Sequence, residues 1–256
     1  VRKVPSTPDA PEVGVLDGVE TGAEEAGIDP ADVGFFAHGT TVATNAVLEG
    51  EWAETALLTT EGFRDVLEIG RQDRPDLYHL DATKPDPIVP RDRRYEVTER
   101  LDERGAVITD LSEESVREAV RTFPETVESV AVCLLFAFEN DAHERRVKEI
   151  VQDELALPVS VSSEVLPEIR EYERTLATAM DAALRPVMES YLGALERDIA
   201  DLGVPADVQV MGSNGGSMAA TTARERPVRT LLSGPAAGVQ GAAHIAANAG
   251  MRDAIT

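Results

Sequence analysis

The sequence predicts an α/β protein, and three observations carry that prediction. Strand-like apolar runs alternate with helix-like segments along the chain, and the alternation becomes regular from Ser112, completing a β-α-β-α-β stretch that ends at Ser162. Several apolar runs also end in glycine and small polar residues, the pattern of a strand leading into a ligand-bearing turn. At 256 residues the chain can bury a core in one large or two small domains.

The elements follow in order. Residues 11–27 read as a helix ending at Gly27, and residues 33–37 as a buried strand before His38. Residues 55–60 form the next strand, and Gly62 opens a short helix through Ile69. Residues 71–90 are polar, proline-bearing and irregular, a length of loop that in a compact domain carries function or covers a site. Residues 93–110 suggest a hairpin turning at Glu103-Arg104-Gly105. Ser112 is an N-cap with Glu113 and Glu114 in the first turn, and its helix runs to Phe123. A continuous apolar strand around Cys133 follows, then a charged helix capped by Asn140, then a strand over 158–162. A long helix over 169–201 is broken or bent at Pro186. Residues 208–211 make a strand ending in Gly212-Ser213-Asn214-Gly215-Gly216, and a glycine-bearing segment, 231–238, leads into a small-residue helix over 239–248.

Charge and composition exclude several classes. Asp and Glu number 47 against 24 Lys and Arg, a net charge of −23, and only Lys3, Lys84 and Lys148 are lysines. So acidic a surface repels nucleic acid and anionic lipid. Together with lysine scarcity it fits a protein of a salt-rich cytoplasm, where the self-repulsion is screened. The single cysteine, Cys133, rules out an internal disulfide and sits in an apolar run, the setting of a buried strand residue. No apolar segment is of membrane-spanning length and the first residues lack a signal-peptide core, so a cytoplasmic location is expected. His38, His79, His143 and His244 lack metal-ligand spacing, and no metal site is expected.

The stretch from Phe36 to Leu48 carries the most chemistry. Gly39 permits close backbone approach, while Thr40, Thr41, Thr44 and Asn45 place hydroxyl and amide groups where a helix begins with free N–H donors. That suits a phosphate or a carbonyl-rich small molecule; the alternative is an N-capped strand-to-helix turn with a structural histidine. Arg170 and Arg174, spaced i, i+4, either face a substrate together or pair with Glu171, Glu173 or a loop acid. The segments at Ser213, Asn214, Gly215 and Gly216 and at Ser233 and Gly234 fit nucleotide or substrate loops, or ordinary tight turns.

Taken together and in order, residues 3–8, 38–48, 59–78, 163–174, 213–216 and 226–238 resemble the hydantoinase A/5-oxoprolinase family along the whole chain. The resemblance implies an actin-like ATPase superfamily fold with ribonuclease-H-like units, residues 1–175 being the family's N-terminal region and 176–256 the start of its core domain. It implies the A-type component of an ATP- and Mg²⁺-dependent enzyme that hydrolyses cyclic imides or lactams by phosphorylating the amide oxygen, commonly with a B-type partner subunit. Other members are ATP-using subunits of ketone carboxylases. The family's Asp-Gly-Gly-Thr phosphate loops are expected to fall outside these residues, leaving the fold incomplete at both ends and the fragment inactive alone. A non-catalytic binding or assembly module is therefore a third reading. The implied site comprises His38 as proton carrier, Gly39, Thr40, Thr41 and Asn45 at the cleft floor, Arg71 and Arg74 on the long loop, Arg170 and Arg174, Ser213 to Gly216, and Ser233 with Gly234.

Overall fold

The computed structural model describes the chain apart from Val1, Ser6, Pro8, Asp9, Arg74, Pro75, Leu77, Leu80, Arg252 and Thr256. It forms two compact units, one of residues 1–51 with 187–256 and one of residues 52–186.

In the first unit, α1 (Pro11–Ala26) starts with Pro at its first position and stops at Gly27, whose φ of 64° lets its N–H reach back to Ala23 and Glu24. A 3₁₀ turn over Pro30–Asp32 shortens the strand expected at 33–37, so β1 is Phe36–His38 and includes the histidine. α2 (Val42–Glu49) ends at Gly50, again left-handed at φ 73°. After residue 186 the chain returns through the distal part of α7, β8 (Val208–Met211), β9 (Ser217–Ala219), α8 (Ala220–Glu225) and α9 (Ser233–Asn248). β1 pairs parallel with β8, and β9 returns antiparallel on the other side of β8.

The second unit is a parallel sheet in the order β3-β2-β6-β7, built from Arg94–Val97, Thr55–Thr60, Ser129–Cys133 and Val159–Val161. Parallel strands are covered on both faces, which is why β2, β6 and β7 are buried at every residue. Side-chain alternation divides the core. Leu58, Val130 and Val132 pack with Val116, Val120, Val147 and Ile150 of α4 (Glu113–Arg121) and α5 (Ala142–Leu155). Leu57, Ala131 and Cys133 face the other way, against Leu67 of α3 (Val66–Ile69), Val89, and Ala179 and Ala182 of α7 (Glu171–Asp201). The small strand β4 (Arg100–Leu101) pairs antiparallel with β5 (Val107–Thr109), and α6 (Ser162–Val165) follows β7.

Four expectations are corrected here. The hairpin expected over 93–110 is confined to β4 and β5, because Arg94 and Val97 are buried and draw β3 into the parallel sheet beside β2. The turn itself is local: the Asp102 carboxylate accepts the N–H groups of Arg104 and Ala106, and Gly105 sits at φ 76°. The helix expected from Gly62 begins only at Val66. α7 is not broken at Pro186 but runs on through it, and it starts at Glu171, leaving Arg170 outside at φ 90°. α9 starts at Ser233, not at 239, so Gly234 and Gly238 are helical; Pro235 fits its first turn, where the missing N–H has no helical acceptor to lose.

Candidate functional site

Because β1 and β8 run parallel, with His38 beside Val210, the residues after each strand emerge at one edge of the three-stranded sheet. Ligands of open α/β sheets gather at the carboxyl ends of parallel strands. After β1, Gly39 and Thr41 are exposed while Thr40 is buried. The Thr40 hydroxyl accepts the Val42 N–H at 3.2 Å, and its carbonyl accepts the Ser233 hydroxyl at 3.0 Å. The Leu232 N–H donates to the Thr44 hydroxyl at 3.1 Å, and a Cβ on Gly234 would lie 3.8 Å from the Thr41 methyl group. The N-termini of α2 and α9 therefore meet, and a helix start leaves N–H donors without intrahelical partners. Leu232 is held at φ 57°, a left-handed conformation costing a branched side chain about 1–3 kcal/mol, so the junction is over-determined by its hydrogen bonds. Asn45 is exposed on the first turns of α2.

After β8, residues 212–216 form the tip of the β8–β9 hairpin. The Gly212 N–H reaches the Gly216 carbonyl at 2.8 Å, and the Asn214 side-chain oxygen accepts the Gly216 N–H at 3.0 Å. Gly215 needs to be glycine twice over: its φ is 79°, and a Cβ would stand 2.9 Å from Gln240 of α9. The Ser213 hydroxyl bonds to the carbonyls of Arg229 and Leu231, at 2.7 and 2.5 Å, which fixes the tip to the segment leading into α9. Thr40, Thr41, Asn45, Ser213 to Gly216, Ser233 and Gly234 thus belong to one neighbourhood of one unit, though they come from three stretches of sequence.

His38 ends β1 with its Nε2 2.6 Å from the hydroxyl of Tyr191, a residue of α7 that local sequence pattern did not single out. Burial lowers the His38 pKa from 6.5 to about 4, so the imidazole is neutral at pH 7. Burial raises the Tyr191 phenol, with the Thr40 hydroxyl acting against it. A neutral imidazole in contact with a phenol accepts or donates a hydrogen bond without carrying charge into the site.

The arginines belong to the other unit. Arg71 is exposed and pairs with Glu173 at 2.6 Å. Arg170 precedes α7 and is exposed, whereas Arg174 is 1% exposed and donates to the Leu134 carbonyl, so the two do not share a face. Arg74 lies outside the described residues. Among the described residues no group of three or more His, Cys, Asp or Glu side chains could hold a metal ion, and no helix is long and apolar enough to cross a membrane.

Parallel strands with glycine-bearing turns and helix starts at their carboxyl ends define an α/β protein of the actin-like ATPase fold. The chain belongs to the hydantoinase/oxoprolinase family: residues 1–155 match its "Hydantoinase/oxoprolinase N-terminal region" and residues 174–256 its "Hydantoinase/oxoprolinase" region. It is 32% identical to the acetophenone carboxylase gamma subunit of Aromatoleum aromaticum over 274 residues, covering 100% of this chain and 37% of that protein. The crystal structure of the ATP-dependent caprolactamase from Pseudomonas jessenii superposes with a TM-score of 0.87 at 33% identity, over 97% of this chain and 37% of that one. A nucleotide-free acetone carboxylase structure gives 0.84 at 26% identity, over 96% and 37%. The chain spans 35–38% of the length of three curated relatives and 17–20% of others, 5-oxoprolinases among them.

Proposed function

We propose that this chain is part of the ATP-using subunit of an enzyme that opens a cyclic amide, a lactam or imide, by phosphorylating its carbonyl oxygen. The observation that carries the reading is the meeting of the α2 and α9 N-termini beyond β1 and β8, with exposed Thr41 and Asn45 and the Asn214–Gly216 tip around it. Converging helix starts favour a negatively charged oxygen group, so these residues suit the phosphates of Mg-ATP or the phosphorylated substrate. An amide carbon is a poor electrophile. Transfer of the γ-phosphoryl group to its oxygen releases ADP and opens the carbon to water; the C–N bond then breaks, nitrogen takes the proton, and a second water releases phosphate from the acyl phosphate. ATP supplies the activating group. His38, neutral and bonded to Tyr191, is suited to hold a reacting group by an uncharged hydrogen bond, and any proton it takes up is returned readily because burial disfavours the imidazolium.

The second reading, an ATP-using subunit of a ketone carboxylase, is favoured by a carboxylase gamma subunit matching the full length of the chain. Both readings expect a cytoplasmic protein working with a second, B-type subunit. The full-length protein with its partner subunit, assayed for ADP release, separates them. Stimulation by 5-oxoproline, hydantoin or caprolactam supports ring opening, stimulation by a ketone with bicarbonate supports carboxylation, and indifference to every one removes both.

A further inference from the structure

The unit of residues 52–186 contains a buried cation that makes no ion pair among the described residues. Arg174 is 1% exposed; one nitrogen donates to the Leu134 carbonyl and lies 3.5 Å from the Cys133 sulfur, and the guanidinium sits 5.1 Å from the Phe138 ring centre. Its Nε and Nη1 are buried with no hydrogen-bond partner among the described residues. None of these neighbours is an anion: burial pushes the Cys133 thiol up, so it is uncharged near neutrality.

Against Arg174 lies a void of about 10 Å³, room for about one water-sized atom, whose walls include Phe63, Val66, Leu134, Thr59 and Thr175 and one acidic residue, Glu171. Phe63, Val66 and Glu171 also line an outer cavity of about 510 Å³, together with Ile69, Tyr172 and Arg170. The Arg170 side chain makes no hydrogen bond or ion pair among the described residues, and its backbone is held at φ 90° where the first turn of the 31-residue α7 begins. Non-glycine residues in that conformation cluster at ligand-clamping positions.

We infer that this double cavity binds the carboxylate of a small molecule with a short apolar body. One carboxylate oxygen fills the inner void beside Arg174, and the apolar body rests on Phe63, Val66, Ile69 and Tyr172, with Arg170 at the mouth. A carboxylate fits better than a phosphate: the inner void admits a single oxygen, and the further oxygens of a phosphate would be left against Phe63, Val66 and the Glu171 side chain. The identity of the molecule rests on the proposed function, since ring opening and ketone carboxylation both end in a carboxylate; the site itself does not.

The test is calorimetric titration of the full-length protein with sodium butyrate, acetate, inorganic phosphate and chloride at constant ionic strength. Butyrate is expected to bind saturably at one site and about tenfold or more tightly than the other three. Arg174 is buried and its replacement risks unfolding, so Val66→Phe, which fills the void from the apolar side, is the informative variant. It should weaken butyrate about tenfold or more while the melting temperature stays close to wild type. Absence of saturable butyrate binding, phosphate or chloride binding as tightly, or an unaltered Val66→Phe variant would each overturn the inference. Butyrate binding that appears only in Glu171→Gln would also overturn it, by showing that Glu171 itself occupies the void. Carboxylate binding in a protein without substrate-stimulated ADP release would sink the proposed function alone; ADP release without carboxylate binding would sink this inference alone.

Discussion

Acidification should destabilise the protein through His38. Its pKa falls from 6.5 in the unfolded chain to about 4 in the fold because burial disfavours the imidazolium. Between those values the unfolded chain binds more protons than the native one, so stability is full above pH 6.5 and is lost as pH falls toward 4. At about 1.4 kcal/mol per tenfold change in proton affinity, the complete depression is worth about 3 kcal/mol, of which about 1.3 kcal/mol has gone by pH 5.5. The 47 carboxylates titrate in the same region, so the measurement is a difference. Urea unfolding of wild type and His38→Gln at pH 7.5, 6.5, 5.5 and 4.5 is compared, the glutamine amide keeping a polar contact within reach of Tyr191. The wild-type curve should fall away from the variant's by about 1.3 kcal/mol at pH 5.5 and by about twice that at pH 4.5. Parallel curves, or an NMR titration placing His38 at or above 6.5, would refute the reasoning.

Three further outcomes follow from the same structure. Glu144→Ala should cost about 3–5 kcal/mol in thermal or urea unfolding, because the buried carboxylate accepts the Leu134 N–H, the Ser163 N–H and the Ser162 hydroxyl, and its removal orphans all three donors. A loss under about 1 kcal/mol would show that water replaces it. Ser112→Ala removes the side-chain cap from the Ser115 N–H of α4 and should cost about 1 kcal/mol; an unchanged melting temperature would mean the cap contributes nothing. With a net charge of −23, the melting temperature should rise steeply between low and molar KCl, where screening contracts to about 3 Å; indifference to salt would end the inference of a salt-rich host.

What was legible in the sequence was mostly local. Gly27 as a helix stop, Ser112 as a cap and the apolar run of β6 each depend on neighbours a few residues away, and each stands where expected. The hairpin over 93–110 was misjudged because the partner of β3 is β2, far off in the chain, and the burial of Arg94 gave no local sign. The start of α9 was hidden because Ser233-Gly234-Pro235 has the composition of a turn, whereas the Ser233–Thr40 and Leu232–Thr44 bonds that hold it are long-range. Within the candidate site, the glycines and threonines after β1 and β8 stood out by composition. Tyr191 did not, because a tyrosine amid a long helix looks like any core residue until the fold brings it to His38. The separation of Arg170 from Arg174 depends on one turn of register, since α7 begins between them.

The most direct measurement of the central claim is the stoichiometry of ring opening in the full-length protein with its partner subunit, following amide loss and ADP formation in the same reaction. One ADP is expected for each ring opened, and no opening when ATP is omitted. Ring opening at an undiminished rate without ATP, or ATP consumption independent of the amide, would contradict it.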